Sequence, residues 1–351
     1  WVQYSNNNNG ATIWRADQLL YEFNPLNEYG VTGNSILLGN LLFITSDETA
    51  NGILAFDISP LFEDEPGSPV LLDKLSGAFG AYLVVPFKNY LVLSRRTGRT
   101  VDIIDISAPT NLTFVRSIDT SGHNNSGVPY VQAQDNFIFT QGRKINMETF
   151  EVEVIFDEEG NNRPAGSVAG PLDTSQYMRV VGPFVITGGM NTSGRNGVGI
   201  WVHQEGPDLK APYVGYHVPR PGQTNFPIGA PISLLIHETL ETFTIVNGVS
   251  IILRELGTEE PVDAWVSFAH DGVLTLTPKA YLERDKIYEV VIPAGLIKDA
   301  AGNGIEPYSF TFSTGSAIGG NLSPVIESFT VTPSRVEIGE TVTFSVTATD
   351  P

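Results

Sequence analysis

The stretch that decides the fold runs Leu83-Val-Val-Pro-Phe-Lys-Asn-Tyr-Leu-Val-Leu-Ser94 and continues, after a short gap, as Thr100-Val-Asp-Ile-Ile-Asp-Ile-Ser107. The first part contains two apolar runs separated by the polar pair Lys88-Asn89, and the second part adds a third apolar run. Short apolar runs bounded by turn-forming residues are typical of β-strands. The stretch therefore predicts three consecutive strands joined by tight turns.

The same pattern occurs three more times in the first half of the chain. The other copies are Ile36–Thr45, Val131–Thr140 and Met178–Thr187. Aligning the turn residues gives steps of 49, 47 and 47 residues between Asn40, Asn89, Asn136 and Pro183. Third strands are predicted at Gly52–Ser59, Thr100–Ser107 and Gly197–His203, whereas the third copy offers the dissimilar Met147–Val154. The first half is therefore a repeat of about four strands per unit.

A repeat of ~40–50 residues with about four short strands is the signature of a β-propeller blade. The Asp-Ile-Ser endings, with Pro60 or Pro109 close behind, resemble the blades of bacterial surface propellers built on Leu-Val-Ile-Val-Asp repeats. The resemblance covers roughly residues 35–209 and implies four blades in a first domain of residues 1–209. Thr12–Arg15 and Leu19–Phe23 are expected to be strands of a preceding blade, so the ring is expected to be incomplete. Two packed β-meanders are the alternative.

After Pro212 the period is lost and hairpin signals replace it. Asn247-Gly248 and Asp271-Gly272 each separate two apolar runs, which predicts a hairpin tip at both places. Further strands are predicted at Ile287–Ile292 and Tyr308–Ser313. About seven short strands in ~100 residues predict a β-sandwich.

The order of motifs in this second region is similar to that of the bacterial Ig-like domain first described in surface-layer proteins. The motifs are Pro219–Gly222, Leu274–Pro278, Leu282, Tyr288–Ile292, Lys298–Asn303 and Phe310–Thr314. The resemblance runs over residues 211–315. In the Lys298–Asn303 loop, Asp, Gly and Asn favour turn conformations, so we expect a structural role for it rather than calcium binding.

Residues 316–323 form a linker of small residues. Residues 324–351 resemble the beginning of a polycystic-kidney-disease-type Ig-like domain. Because Ala348-Thr-Asp-Pro351 has the pattern of a strand that runs into a turn, we expect this sequence to be a segment of a longer protein.

The composition excludes several classes of function. The chain has 351 residues, 20 Lys+Arg against 39 Asp+Glu, a formal charge of −19 and no cysteine. A nucleic-acid-binding surface needs clustered basic residues, which argues against a nucleic-acid partner. Without cysteine there is no disulfide, thiolate catalysis or Cys-ligated zinc. No apolar run approaches the ~18–20 residues that a membrane-spanning helix needs.

The sequence contains none of the common catalytic or phosphate-binding motifs, and no catalytic residue or cofactor is predicted. His237-Glu238 begins like a zinc-protease motif, but Glu241 stands where the second histidine belongs. The best calcium candidate is the acidic loop with Asp157, Glu158, Glu159 and Asn161, because calcium is held by several oxygens from a short flexible segment.

These observations predict an all-β protein: β-propeller blades, an Ig-like β-sandwich and a partial second Ig-like domain. The combination of propeller-type and Ig-like domains in one chain, together with its acidity, favours a non-enzymatic extracellular or cell-surface protein. Such a protein would act in adhesion, ligand binding or surface assembly, with a protein or carbohydrate ligand or with itself as partner. The alternative is a fragment of a secreted enzyme that cleaves polysaccharides or peptides. A cluster of carboxylates or histidines at the centre of the propeller would favour the enzyme.

Overall fold

The computed structural model describes residues 2–5, 10–15, 18–29, 34–45, 52–77, 83–95, 100–120, 130–140, 142–155, 177–190, 196–269, 271–315, 325–332 and 343–349. In this part of the chain the helical segments are one α-helix, α1 (Pro25–Tyr29), and two 3-10 turns at Ser59–Phe62 and Thr242–Thr244. The all-β prediction is confirmed. None of the described helices is long and apolar enough to cross a membrane.

Residues 2–202 form five small antiparallel sheets in which consecutive strands pair. The first has β1 (Val2–Ser5), β2 (Gly10–Arg15) and β3 (Gln18–Phe23). The second has β4 (Ser35–Leu38), β5 (Leu41–Thr45), β6 (Ile53–Asp57) and β7 (Val70–Leu75). The third has β8 (Leu83–Phe87), β9 (Tyr90–Ser94), β10 (Thr100–Asp105) and β11 (Thr113–Asp119). The fourth has β12 (Val131–Gln134), β13 (Phe137–Thr140), β14 (Arg143–Asn146) and β15 (Val152–Val154). The fifth has β16 (Tyr177–Val181), β17 (Phe184–Met190) and β18 (Asn196–Val202).

The four predicted turns are two-residue hairpin loops with a common backbone conformation. The flanking pairs are Leu38↔Leu41, Phe87↔Tyr90, Gln134↔Phe137 and Val181↔Phe184. The first loop residue has a positive φ in each: +58° at Gly39, +50° at Lys88, +53° at Asp135 and +51° at Gly182. Lysine rarely adopts this conformation, so the fold imposes it at Lys88. The repeat is thus conserved in backbone geometry as well as in spacing.

The two best-matched copies share a side-chain clip between the hairpin loop and the Asp-Ile-Ser ending. Asn40 Nδ2 donates to Asp57 Oδ1 at 2.9 Å, and the same oxygen accepts the backbone N–H two residues further on at 2.9 Å. The next copy repeats both bonds, from Asn89 Nδ2 to Asp105 Oδ1 at 3.2 Å and from the following N–H at 2.7 Å. These hydrogen bonds explain why an Asp-Ile-Ser motif ends the third strand.

The predicted third strand at Met147–Val154 of the third copy is wrong. The third strand is β14, which directly follows the hairpin, and only the end of the predicted segment is extended, as the fourth strand β15. Asn146 Oδ1 accepts the N–H groups of Glu148 and Thr149 at 2.8 and 3.2 Å, and Phe150 has a φ of +59°. These features make residues 147–150 a turn.

The described residues between Val214 and Ser313 form two antiparallel sheets, which is consistent with an Ig-like fold. One sheet has the order β19-β20-β23-β22, with β19 (Val214–Val218), β20 (Ile232–Ile236), β22 (Ala264–Phe268) and β23 (Val273–Pro278). The other has the order β21-β24-β25, with β21 (Ile252–Glu255), β24 (Ile287–Ile292) and β25 (Tyr308–Ser313). Alternate residues of β24 are buried, as expected for a strand with one face on a core. We call this unit the sandwich.

One of the two predicted hairpin tips is confirmed and the other is wrong. Asp271 and Gly272 lie between the paired strands β22 and β23, and Gly272 has a φ of +85°. Asn247-Gly248 also forms a tight turn, with Gly248 at +74°, but the residues before it form a 3-10 turn rather than a strand. The exposed side chain of Phe243, 78% accessible, shows that this apolar run does not enter the core.

The last described strands, β26 (Val325–Thr332) and β27 (Thr343–Thr349), pair antiparallel with each other. Phe344 and Val346 on β27 are 65% and 55% exposed. The alternation predicted for residues 324–351 therefore does produce a strand pair, while its kinship with the kidney-disease-type domain remains an expectation.

The largest apolar core is shared between the first repeats and the sandwich. It is one continuous cluster of buried side chains that includes Ile13, Leu42 and Phe56 from the early sheets and Leu234 and Phe312 from the sandwich. Two smaller clusters lie under the later repeats, around Val92 and Ile138 and around Phe139 and Trp201. The early repeats and the sandwich thus bury apolar surface against each other.

Candidate functional site

The predicted calcium loop with Asp157, Glu158, Glu159 and Asn161 lies outside the described residues, so it stays a prediction. In the described part of the chain, no group of three or more His, Asp or Glu side chains is arranged to hold a metal ion.

The Lys298–Asn303 loop is internally bonded. Asp299 is 1% exposed; its Oδ1 accepts the N–H groups of Ala301 and Asn303 at 2.8 Å, and its Oδ2 accepts Asn303 Nδ2 at 2.8 Å. Both carboxylate oxygens therefore close the turn, which Gly302 completes at a φ of +90°. This geometry agrees with the structural role expected from the sequence.

Two acidic clusters form surface ion pairs. Arg284 contacts Glu63 at 3.4 Å and Asp64 at 3.1 Å, which links the second sheet to the sandwich. Arg254 contacts Glu259 at 2.8 Å, and its Nε is 2.6 Å from Glu289. These carboxylates have cationic partners in the protein itself.

One segment of the sandwich contacts the hairpin ends of all four repeats. We call residues 233–239, which comprise most of β20 and the three residues after it, the docking strand. Gly39 N–H donates to Ser233 Oγ at 2.9 Å, and Lys88 N–H donates to His237 Nε2 at 3.0 Å. Asp135 N–H donates to the His237 carbonyl at 2.6 Å, and Thr239 Oγ1 donates to the carbonyl of Val180, next to the fourth loop, at 2.7 Å. Repeats one to four thus meet this strand in chain order.

His237 is a neutral structural residue at the centre of this contact. Because a backbone N–H donates to Nε2, the proton of the neutral ring is on Nδ1, which has no hydrogen-bond partner. The ring stacks on Phe87 with 4.4 Å between centroids. Burial, reinforced by nearby Lys88, lowers the pKa of His237 to about 3. This histidine cannot act as a proton shuttle near neutral pH.

Glu238, the next residue, is a buried carboxyl group among other acidic groups. It is 5% exposed, and its Oε1 accepts Thr239 N–H at 3.2 Å. Burial, and then the nearby carboxylates of Asp135 and Asp208, raise the pKa of Glu238 to about 9. Asp135 itself is paired with Lys210 at 3.1 Å. Glu238 is therefore uncharged at neutral pH.

Glutamine side chains connect the third and fourth repeats beside this strand. Gln132 exchanges two hydrogen bonds with the backbone of Val180, both at 3.0 Å, and Gln134 Nε2 donates to the carbonyl of Gly182 at 2.8 Å. His203 also binds the Gly182 carbonyl, through Nε2 at 2.7 Å, and burial lowers its pKa. His203 is therefore a packed residue, 8% exposed.

A cavity of about 680 Å³ lies on the other side of the sandwich, between the first two sheets and the outer face of β22 and β23. Its floor is apolar, with Ile13, Leu20, Ile36, Phe62 and Val273. Its sandwich wall carries side chains from alternate positions, because successive side chains on a strand point to opposite faces. These wall residues are Trp265, Ser267 and Ala269 of β22 and the loop after it, and Thr275 and Thr277 of β23. A volume in this range is typical of small-molecule sites, which span ~300–1,000 Å³.

Arg15 stands at one end of the cavity with its guanidinium fixed by the protein. Its Nη2 donates to the carbonyls of Pro278 and Lys279 at 2.5 and 3.3 Å. Its Cζ is 4.7 Å from the ring centre of Tyr281 and 6.0 Å from that of Trp265. Among the described residues no carboxylate forms an ion pair with it, and burial lowers its pKa. The cavity therefore has a cationic group beside aromatic rings at one end.

Sequence reasoning missed both the docking strand and the cavity. The signal for the first was available in part: His237-Glu238 follows the mostly apolar strand Ile232–Ile236, which places two titratable groups next to a buried strand. The cavity joins residues more than 250 positions apart, such as Arg15 and Pro278, and no local pattern indicates that contact.

Residues 208–314 match the family described as Bacterial Ig-like domain, which covers the sandwich. Among solved structures, the chain is similar to the N-terminal part of the bacterial S-layer protein SbsC, at 18% identity and a TM-score of 0.24. That match covers 33% of this chain and 26% of the S-layer chain, so this chain corresponds to about a quarter of its length. No curated protein is similar enough in sequence to count as a relative. The sandwich is thus similar to bacterial Ig-like domains in sequence as well as in its two-sheet architecture.

Proposed function

We propose that the chain is part of a non-enzymatic bacterial surface or extracellular protein that binds a ligand. In this proposal residues 1–209 are propeller-type blades, residues 211–315 are an Ig-like domain, and residues 324–351, after the 316–323 linker, begin a second one. The Bacterial Ig-like domain match supports the bacterial surface setting. The repeat period and the shared hairpin geometry support the assignment of blades.

The docking strand is the observation that carries the proposal. Ig-like units often act as spacers, and a spacer needs few contacts with its neighbour. Here Ser233, His237 and Thr239 bind all four repeats, and the first repeats share one apolar core with the sandwich. Such a junction holds the Ig-like domain against the repeats, which suits a protein that presents a preformed binding surface.

Surface labelling of cells tests the setting. An antibody raised against the purified chain should label intact cells of a bacterium that produces the protein, and external protease should remove the label. Labelling that requires permeabilised cells would overturn the proposal. Beads coated with the purified protein should also adhere to such cells, and excess soluble protein should compete; beads coated with an unrelated acidic protein are the control.

An enzyme that cleaves polysaccharides or peptides is the second candidate, and Glu238 is the observation in its favour. A buried carboxyl group that stays protonated at neutral pH, near Asp135 and Asp208, has the properties of a general acid. The 5% exposure of Glu238 and its place in the junction favour a structural role. Hydrolysis of a polysaccharide panel by the wild-type chain, lost in Glu238→Gln, would establish the enzyme instead.

Calcium binding at Asp157, Glu158, Glu159 and Asn161 is a further part of the proposal. Calcium at about 10⁻³ M, which matches the weak affinity of extracellular calcium sites, should raise the melting temperature. Glu158→Gln should abolish the rise. An unchanged melting temperature in the wild-type chain would contradict calcium binding.

A further inference from the structure

The cavity beside Arg15 has the properties of a ligand site rather than of a packing gap. Its volume is about 680 Å³, whereas gaps in protein cores rarely exceed a single water molecule. Its walls come from three separate sheets, through residues such as Ile13, Ile36 and Val273. Trp265, on the outermost strand of the sandwich sheet, is 43% exposed and lies on the cavity wall. A large aromatic side chain left partly open beside an apolar floor is typical of a binding site.

The charge at the Arg15 end points to an anionic ligand. Backbone carbonyls fix one amino group of the guanidinium but do not neutralise its charge, and the buried Nε has no hydrogen-bond partner among the described residues. Among the residues that the structure describes, no carboxylate pairs with Arg15, although the chain carries 39 acidic residues against 20 basic ones. Arg254 and Arg284, by contrast, each contact two carboxylates. A carboxylate group on a ligand would supply the missing partner.

The length of the cavity from Arg15 to the β22–β23 hairpin tip determines the orientation in which such a ligand would bind. Asp271, at the β22–β23 hairpin tip, also lines the cavity, and the extended strand from Val273 to Thr277 lies between this tip and the Arg15 end. The distance from Val273 to Thr277 is ~13 Å at about 3.3 Å per residue. A carboxylate on Arg15 would therefore leave an attached chain to run along this strand toward the hairpin tip.

We propose that this cavity binds a monocarboxylate with an apolar chain, with the carboxylate on Arg15 and the chain along the apolar floor. The inference rests on the proposed function, because it names the ligand class of the binding protein proposed above. The aliphatic chain would contact Ile13, Leu20 and Ile36, and Trp265 would cover the carboxylate end. At a cell surface, acyl carboxylates are molecules of this class.

Isothermal titration calorimetry of the purified whole chain tests the inference with decanoate, 1-decanol and decyltrimethylammonium as probes. Decanoate should bind, and it should bind roughly ten- to a hundredfold more tightly than decanol, the range of a charge-assisted hydrogen bond. The cationic probe should bind most weakly. Equal affinities for decanoate and decanol, or no binding of decanoate, would overturn the inference.

Variants test the contributions of the Arg15 guanidinium and of the cavity volume to binding separately. Arg15→Gln should remove the preference for decanoate while leaving decanol binding unchanged, and Arg15→Lys should restore part of it. Thr275→Trp should fill the cavity and abolish binding of both probes. Arg116→Gln is the matched control, since Arg116 also stacks on an aromatic ring, that of Phe150 at 4.4 Å, far from the cavity wall.

The outcomes are distinguishable from those of the cell experiment. Circular dichroism melting shows whether each variant folds, and a normal melt with unchanged decanoate preference in Arg15→Gln would exclude Arg15 as the anion site. Tight decanoate binding by a protein that labels only permeabilised cells would keep the ligand class and overturn the surface function. Surface labelling without decanoate binding would do the reverse.

Discussion

Replacing Glu238 by glutamine should stabilise the protein at alkaline pH. In the folded chain the carboxyl stays protonated up to about pH 9, because it is buried near Asp135 and Asp208, whereas its ordinary value is 4.5. An acid with a raised folded-state pKa contributes stability that is complete below pH 4.5. That contribution is lost progressively as the pH rises toward 9, because the unfolded chain ionises and the folded chain does not.

The magnitude follows from the two pKa values. Each pH unit in this window is worth about 1.4 kcal/mol, so at pH 8 the folded state bears a cost of about 4 to 5 kcal/mol relative to pH 4. Glutamine has nearly the same shape and cannot ionise. Glu238→Gln should therefore be more stable than wild type by up to about 4 kcal/mol at pH 8, and within about 1 kcal/mol of it at pH 4.

Urea unfolding followed by tryptophan fluorescence at pH 4, 6, 7, 8 and 9 measures the effect. The free energy of unfolding of wild type should fall by about 1.4 kcal/mol per unit above pH 6.5, and that of Glu238→Gln should stay nearly level. Exposed Glu260→Gln, in which the same change is made outside the core, should follow wild type. Parallel pH profiles for wild type and Glu238→Gln would refute the reasoning.

Three further predictions concern the same junction. Burial lowers the pKa of His217 to about 4 and that of His237 to about 3, so their contribution to stability is complete above pH 6.5 and lost as the pH falls. Urea unfolding should therefore show that the free energy of unfolding decreases below pH 6.5, and that it decreases less steeply in His237→Gln, which cannot be protonated. Gly39→Ala should cost about 2 to 3 kcal/mol, because φ is +58° and the new Cβ would lie 2.3 Å from Val218 Cγ1. Gly206→Ala, with φ +79° and no atom within 4 Å, should cost about 1 kcal/mol by the same urea assay, and equal losses would contradict the clash. Calorimetry should show one transition for the early repeats and the sandwich, because they share a core; two well-separated peaks would contradict this.

Local patterns predicted the strands and the repeat well. The loops at Asn40, Asn89, Asn136 and Pro183 sit at two-residue hairpins, because a polar pair between apolar runs is decided by neighbouring residues alone. The bounds of β24 and β25 also agree with the sequence, since alternate burial in a two-sheet sandwich leaves a period of two.

The errors arose where local side-chain hydrogen bonds compete with the pattern of apolar residues. Asn247-Gly248 has the composition of a hairpin tip, but Ser250 Oγ accepts the Val246 N–H at 2.7 Å and closes a compact turn there. In the third repeat, Asn146 side-chain bonds make a turn of a segment that the spacing assigns to a strand. Both cases depend on a side chain that binds the backbone nearby, and apolar periodicity carries no information about such bonds.

The candidate site could be predicted least, because it is made by long-range contacts. The stacked ring of His237 and the neutral carboxyl of Glu238 depend on hairpins that begin 100 to 200 residues earlier in the chain. In the sequence the pair resembles half of a zinc motif, and only its burial against Phe87 shows that it stabilises the junction.

The docking strand also limits how this repeat region can change in evolution. Tandem repeats in open arrays gain or lose copies readily, because each copy contacts only its neighbours. Here the four copies meet a seven-residue segment in chain order, the second and third both at His237, so Ser233, His237 and Thr239 are matched to the number and order of repeats. Duplication of one copy would leave a hairpin without its partner and shift all later copies off theirs. Repeat number in this protein should therefore change only together with residues 233–239.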